Sequence, residues 1–284
     1  MFMTSDVLRE LTGSRPEVVY HYCGPDGLLG ILRSRQIWAT SMRHLNDASE
    51  QKYAAEQIRA VVRRIAWETS ADPAALPVAL LIDRVEEVIS YVACFSEHAD
   101  LLSQWRAYAP AEGGFAVGIQ TSSLSSGGDW LFGNCEYDCA SYDRAVESIL
   151  RDHPKLLDPG ESLDRLVDAN DPEVGSLIAA LLTLVPLRKH PGFREEAEWR
   201  IVRGPIEAER HPTEFRISRG AVIPYQCIPL AESGAELPIP EVVIGPSPDA
   251  RERTYGATRM LLDQHGLNPT KCDLRVSQIP YRGW

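Results

Sequence analysis

The sequence predicts an α+β fold, and three observations carry that prediction. Segments with a helical repeat of apolar residues dominate early and between strands, whereas hairpin-like strands cluster late in the chain. The strict strand-helix alternation of a doubly wound parallel sheet is therefore absent. The 284 residues are 44% hydrophobic and 24% charged, the composition of a globular chain that buries roughly three quarters of its unfolded surface. With no internal repeat and no low-complexity tract, the reading is one domain over residues 1–284, interrupted by a helical insertion at 141–189.

Taken in order, Ser5 and Asp6 cap a first helix ending near Gly13, and Glu17–Tyr22 reads as a strand. Pro25 and Asp26 open a helix whose Leu28, Leu29, Ile31 and Leu32 form one apolar stripe. Ile37–Ala39 is a second short strand, followed by a loop to Asn46 and Asp47 and an amphipathic helix from Ala48 to Trp67. Pro73–Val88 is a further helix, Ser90–Ser96 a buried strand and Leu101–Tyr108 a helix. Gly113 and Gly114 end that unit, and Phe115–Ile119 returns as a strand. Residues 121–129 read as a loop and Leu131–Tyr137 as a strand, before two acidic helical stretches, Ser141–Leu157 and Ser162–Lys189. Strands follow at Glu198–Arg203, Glu214–Ile217, Val222–Ile228 and Val242–Ile244. A last helix has Ser247 as N-cap, Pro248 in its first turn and Gly266 past its end, and Cys272–Ser277 is the final strand.

Charge limits the function classes. Forty acidic residues against 29 basic ones give a net charge of -11, which argues against nonspecific nucleic-acid coating. The excess is local: from Asp129 to Gly175 there are 12 acidic and 4 basic residues, a net of -8. From Arg188 to Arg219 there are 8 basic and 6 acidic residues, so a local anion pocket is compatible with the acidic whole. The six cysteines contain no C-x-x-C pair, which reads as free thiols in a reducing cytoplasm and predicts no metal site. No signal peptide or membrane span is expected.

Four constellations are candidates for chemistry. His21, between Tyr20 and Tyr22 at a strand end, has the donor and acceptor to hold a ribose hydroxyl; the plainer reading is a histidine bonded to backbone. Asn46 and Asp47 precede the long helix and Glu50 sits at its third position, so that Asp47 and Glu50 fit a capping box. Trp105 and Tyr108 on one helical stripe suit either a core or stacking on a planar heterocycle, with Gln104 on the face of Tyr108. In Arg194–Val202 the two-residue period puts Glu196, Glu198 and Arg200 on one strand face and Ala197, Trp199 and Ile201 on the other. That carboxylate beside a guanidinium suits either stabilisation of a cationic transition state or a solvated ion pair. Phosphate-loop, Rossmann, zincin and nucleophile-elbow motifs are missing.

The order Tyr-His-Tyr, Gly-Leu-Leu-Gly-Ile-Leu, Ile-Trp-Ala-Thr, Leu-Asn-Asp-x-x-Glu, Cys-Phe-Ser, Asp-Leu-Leu-Ser-Gln-Trp-Arg-x-Tyr, Glu-x-Glu-Trp-Arg and Val-Ile-Gly-Pro, from Tyr20 to Ile279, resembles a bacterial family known as domain of unknown function 2971. The opening Tyr-His-Tyr followed by Leu-x-x-Ile-Leu is more distantly similar to ADP-ribosyltransferases of the His-Tyr-Glu class. That second resemblance implies a split-sheet core and NAD as substrate. It implies that His21 grips the nicotinamide ribose, with Cys23 where the family has Ser or Thr. It also implies that Glu198, with Glu196 as fallback, stabilises an oxocarbenium-like state. Tyr22, Ser96, Trp105 and Tyr108 would line the nicotinamide site, and Arg106 or Arg200 would reach the pyrophosphate. The expected activity is that of a bacterial toxin or phage-defence effector with a protein or nucleic-acid acceptor. Two other readings stand beside it: a non-catalytic sensor on the same fold, and a Mg²⁺-dependent phosphodiester hydrolase using Asp47, Glu50, Glu195, Glu196 or Glu198.

Overall fold

The structure, a computed structural model, describes residues 14–45, 50–87, 89–109, 113–124, 129–162, 171–204, 208–218, 220–232, 234–247 and 254–280. It is α+β, with a large sheet and several helices. The strands are β1 (Val18–Cys23), β2 (Gln36–Ser41), β3 (Tyr91–Ser96), β4 (Phe115–Gln120), β5 (Leu131–Asn134), β6 (Glu198–Arg203), β7 (Glu214–Ser218), β8 (Ala221–Pro229), β9 (Glu241–Ile244) and β10 (Asp273–Val276). The helices are α1 (Pro25–Ser34), α2 (Glu50–Glu68), α3 (Pro77–Glu87), α4 (Leu102–Tyr108), α5 (Thr121–Leu124), α6 (Cys139–Arg151), α7 (Pro172–Leu184) and α8 (Tyr255–Gln264). The first helix expected, ending near Gly13, lies outside the described residues.

Eight strands run in the order β10-β9-β4-β1-β3-β2-β8-β7, and β6 carries β5 alongside β3. Among these strands only β9 and β10 pair in parallel. β3 is the branch point. One edge pairs along its whole length with β6, from Tyr91 opposite Arg203 to Ser96 opposite Glu198. The other edge is shared, with Tyr20 of β1 opposite Ser96 and with Thr40 and Ser41 of β2 opposite Val92 and Tyr91. Between those contacts the β1 ladder stops, and the Nδ1 of His21 takes the Cys94 carbonyl at 2.9 Å in place of a backbone donor.

Local chemistry explains most element ends. Pro25 suits the first turn of α1 because it has no N–H to lose, and Leu28, Ile31 and Leu32 are its buried stripe. Asp171 caps α7 by accepting from the N–H groups of Glu173 and Val174. The single helix expected over Ser162–Lys189 is therefore shorter: it begins at Pro172 and yields to a 3₁₀ turn, Val185–Leu187, where Pro186 cannot continue the ladder. His153 and Pro154 likewise end α6 before the expected Leu157. The expected strand to Tyr137 stops at Asn134, and α8 starts later than Ser247.

Two large apolar clusters result, with two smaller ones beside them. In one, α2, α3, α6 and α7 interlock through Ile58, Val61, Ile65, Leu81, Ile149 and Leu181. In the other, α1 and α8 cover the sheet through Leu28, Phe95, Val117, Ile201 and Leu262. Each fully buried Leu, Ile or Val contributes about 1.5–3 kcal/mol. The segment expected as an insertion thus packs as half of a helical layer whose other half is α2 and α3. No described helix is long and apolar enough to cross a membrane.

Candidate functional site

β6 alternates as its sequence predicts. Trp199 and Ile201 enter the sheet's apolar cluster, and Glu198 and Arg200 occupy the opposite face. The Trp199 indole stacks on Phe132, with ring centres 5.1 Å apart, and donates to Glu97 Oε1 at 2.7 Å. The strand starts at Glu198, as expected, because Ala197 takes a left-handed turn with φ 42° after the 3₁₀ segment Pro191–Glu196.

On its polar face β6 carries a buried charge cluster. Arg200 donates to Glu198 Oε1 at 2.7 Å and Oε2 at 3.1 Å, to Glu50 Oε2 at 2.8 Å and to the Pro186 carbonyl at 2.6 Å. The Lys189 ammonium bonds Glu196 and Glu198 and lies 3.8 Å from Glu50. Two cations thus face three carboxylates, and four of the five side chains are almost fully withdrawn from solvent. Burial pushes the Glu198 carboxyl up, but Arg200 and Lys189 outweigh it and hold its pKa at about 2. Glu50 goes the other way: burial raises it more than Arg200 lowers it. Lys189 stays charged well above the usual lysine range because Glu198 overcomes its burial.

Facing the cluster is a small pocket lined by Tyr20, His21, Tyr22, Cys94, Phe95, Gln104, Tyr108, Glu196 and Glu198. Its free space is about 40 Å³, room for a few water molecules. Tyr20 also lines a wider, open cleft of about 410 Å³ with Glu97, His98, Asp100 and Arg275. Since a carbonyl only accepts, the His21 Nδ1 carries the proton and the neutral ring leaves Nε2 as acceptor. Burial lowers the His21 pKa and favours this neutral form. Burial raises the Cys94 thiol strongly, with the Glu198 charge adding to it.

The remaining candidates divide by position. Tyr22 donates to the His98 carbonyl at 2.6 Å, accepts from the Leu101 N–H and packs edge-on against Trp105. Trp105 is buried, bonds Asp100 and leaves no space for a side chain at Gly245. Ser96 sits behind the pocket, donating to the Glu196 carbonyl at 2.6 Å and accepting from the His98 N–H. The Cys23 thiol packs under Gly27 of α1, with its pKa pushed up by burial to about 12. Arg106 is exposed on α4. Asn46 and Asp47 lie outside the described residues, and Glu50 turns its carboxylate to Arg200. His21, Tyr22, Gln104, Tyr108, Glu196 and Glu198 therefore share one pocket; Glu50 and Arg200 stand behind it, and Cys23, Trp105 and Arg106 do not line it. Among the described residues no group of three or more His, Cys, Asp or Glu could hold a metal ion.

Sequence reading missed Lys189 and its neighbour Arg188. The latter is fully buried in the helical layer, donating to Gln57 at 2.6 Å, Tyr53 at 3.0 Å and the Cys139 thiol at 3.0 Å, with the Tyr53 and Tyr142 rings about it. The available signal was the adjacency of two basic residues to Pro186, which turns one into the helices and the other toward the sheet.

Residues 104–201 match the model of a family described as a protein of unknown function, DUF2971, which supports the resemblance to that family seen in the sequence motifs. The matched stretch runs from α4 into β6 and contains Tyr108, Lys189, Glu196, Glu198 and Arg200. No curated protein and no solved structure matches the chain.

Proposed function

We propose, from this family match and the pocket together, that the chain is an NAD-consuming enzyme of the ADP-ribosyltransferase kind, with the split between β1 and β2 along β3 as the core of that fold. The observation that carries the reading is the meeting of His21 and Glu198, distant in sequence, in one pocket at the end of β3. In this reading the neutral His21 offers Nε2 to a ribose hydroxyl, and the Tyr108 ring stacks on nicotinamide. The carboxylates of Glu196 and Glu198 stabilise the sugar cation as the ribose-nicotinamide bond breaks and nicotinamide leaves with the electron pair. A nucleophile on a protein or nucleic-acid acceptor then bonds the ribose carbon and loses its proton. Bacterial toxins and phage-defence effectors in the cytoplasm are the biological setting that fits. Because 40 Å³ is well below the roughly 300–1,000 Å³ of small-molecule sites, the reading requires Tyr108 to move outward and Lys189 to release its carboxylates.

One observation favours a second reading. Both Glu198 oxygens are already taken by Arg200 and Lys189, which suits a non-catalytic binding protein in which this cluster only holds the sheet and helices together. Incubation with NAD, following nicotinamide release, separates the two. The enzyme reading expects turnover that Glu198→Gln and His21→Ala abolish; turnover unchanged in both variants sinks it. Binding of NAD without nicotinamide release supports the second.

A further inference from the structure

Among the described residues, β7 is an end strand of the sheet, paired with β8 alone. Cross-strand pairing puts Phe215 opposite Pro224 and Ile217 opposite Val222, so these four residues share one face of the hairpin. Phe215, Ile217 and Val222 are 65%, 83% and 63% exposed. Further along β8 the same face carries Ile228, which is buried in the apolar cluster under the sheet. Among the described residues, the core-facing surface therefore runs on past the body of the domain without cover. Natural sheet ends are usually blunted by charges, prolines or bulges; β7 keeps its charges, Glu214 and Arg216, on one face and presents two large apolar residues on the other.

The backbone of β7 narrows what can pair with it. Two residues separate Ser218 from Ala221, so these close the hairpin as a hydrogen-bonded pair, and by alternation Glu214, Arg216 and Ser218 point their N–H and C=O groups at β8. Phe215 and Ile217 point theirs outward. A two-fold antiparallel pairing of two β7 strands can be centred on Phe215 or Ile217, with a hydrogen-bonded pair on the axis, or on Arg216, which sets two guanidinium groups against each other and is disfavoured by their like charge. Centred on Phe215, it sets Glu214 of each copy against Arg216 of the other on the opposite face. Centred on Ile217, it sets Arg216 against Ser218. The first arrangement answers a need, since Arg216 has no carboxylate partner among the described residues: its guanidinium lies over Trp38, donates to Thr40 and leaves Nε buried without a partner.

We propose that this chain self-associates as a two-fold dimer through β7, centred on Phe215, with two reciprocal Glu214–Arg216 pairs and an apolar face formed by Phe215, Ile217 and Val222 of both copies. Association of this kind extends the sheet across both molecules.

Sedimentation equilibrium of the full chain over a concentration series tests the proposal. A monomer–dimer equilibrium is expected, weakened about tenfold by Phe215→Asp, which removes a pair of packed aromatics. Glu214→Arg and Arg216→Glu should each weaken it, and the double variant should restore it, because the swapped charges again meet. A monomer at every concentration overturns the proposal. So does a dimer that ignores both Phe215→Asp and Arg216→Glu. Should Phe215→Asp lose its circular-dichroism signature, the charge swap decides: no rescue in a folded double variant overturns this register.

Discussion

In the helical layer, α2, α3, α6 and α7 close on apolar side chains, and most of their charges remain outside in solvated pairs such as Arg59 with Asp83 and Arg151 with Glu68 and Glu147. On the polar face of β6 the pattern is reversed. Glu50, Lys189, Glu196, Glu198 and Arg200 are drawn inward to meet one another where a core would be expected to be apolar. Exposed pairs are worth up to about 1 kcal/mol and cost little to form. Desolvated ones cost several kcal/mol per ion before their attraction offsets it. A chain that concentrates five such groups beside a pocket, while the helical layer buries Arg188 against the neutral groups of Gln57, Tyr53 and Cys139, points to the charged face as the place where chemistry or recognition occurs.

Substitutions can break this contrast, and the largest effect is expected at Arg200. Arg200→Met leaves Glu198 and Glu50 facing Lys189 alone, and removal of one buried partner costs about 3–5 kcal/mol. Urea unfolding measures it, and a loss under 1 kcal/mol would mean that the cluster is solvated. Leu181→Ala, in the dry helical core, comes next at about 2–4 kcal/mol from lost burial and a cavity.

A pH series then isolates Glu198. Its folded pKa of about 2 lies below the ordinary carboxylate value, so its contribution is complete above that ordinary value and disappears as pH falls toward 2. Glu50, raised by burial, has the opposite sign and offsets part of this as pH rises through its folded value. Glu198→Gln should therefore flatten the acid limb of the stability curve; an unchanged limb contradicts the assignment. Smallest is Arg151→Ala at the helical surface, expected to leave the urea midpoint close to that of the parent chain in the same unfolding assay.

Much of this organisation was legible in the residues themselves. The two faces of β6 followed from its period of two, and the stripe of α1 from its spacing, because both patterns are local. His21 at a strand end was equally plain: the ring bonds backbone through Nδ1, as its plainer reading expects, and it also lines the pocket. What sequence did not disclose is non-local. The shared edge of β3 depends on β1, β2 and β6, which are widely separated in the chain. Lys189 reaches Glu198 only because a proline-bearing turn ends the helical layer there. Trp105 and Cys23 looked like ligand contacts by type, but Gly245 and Gly27 draw them into packing, and no spacing rule reports such a close approach.

The thiols carry a practical consequence. Cys139, at the first turn of α6 beside Arg188, is the one exposed cysteine of the six; Cys135 and Cys272 are buried, and burial raises Cys23, Cys94 and Cys227. A maleimide dye applied briefly at neutral pH accordingly enters at a single address, without mutagenesis. A fluorophore there reports on the helical layer, and energy transfer from a nearby tryptophan to it measures how that layer shifts against the sheet when a small molecule is added.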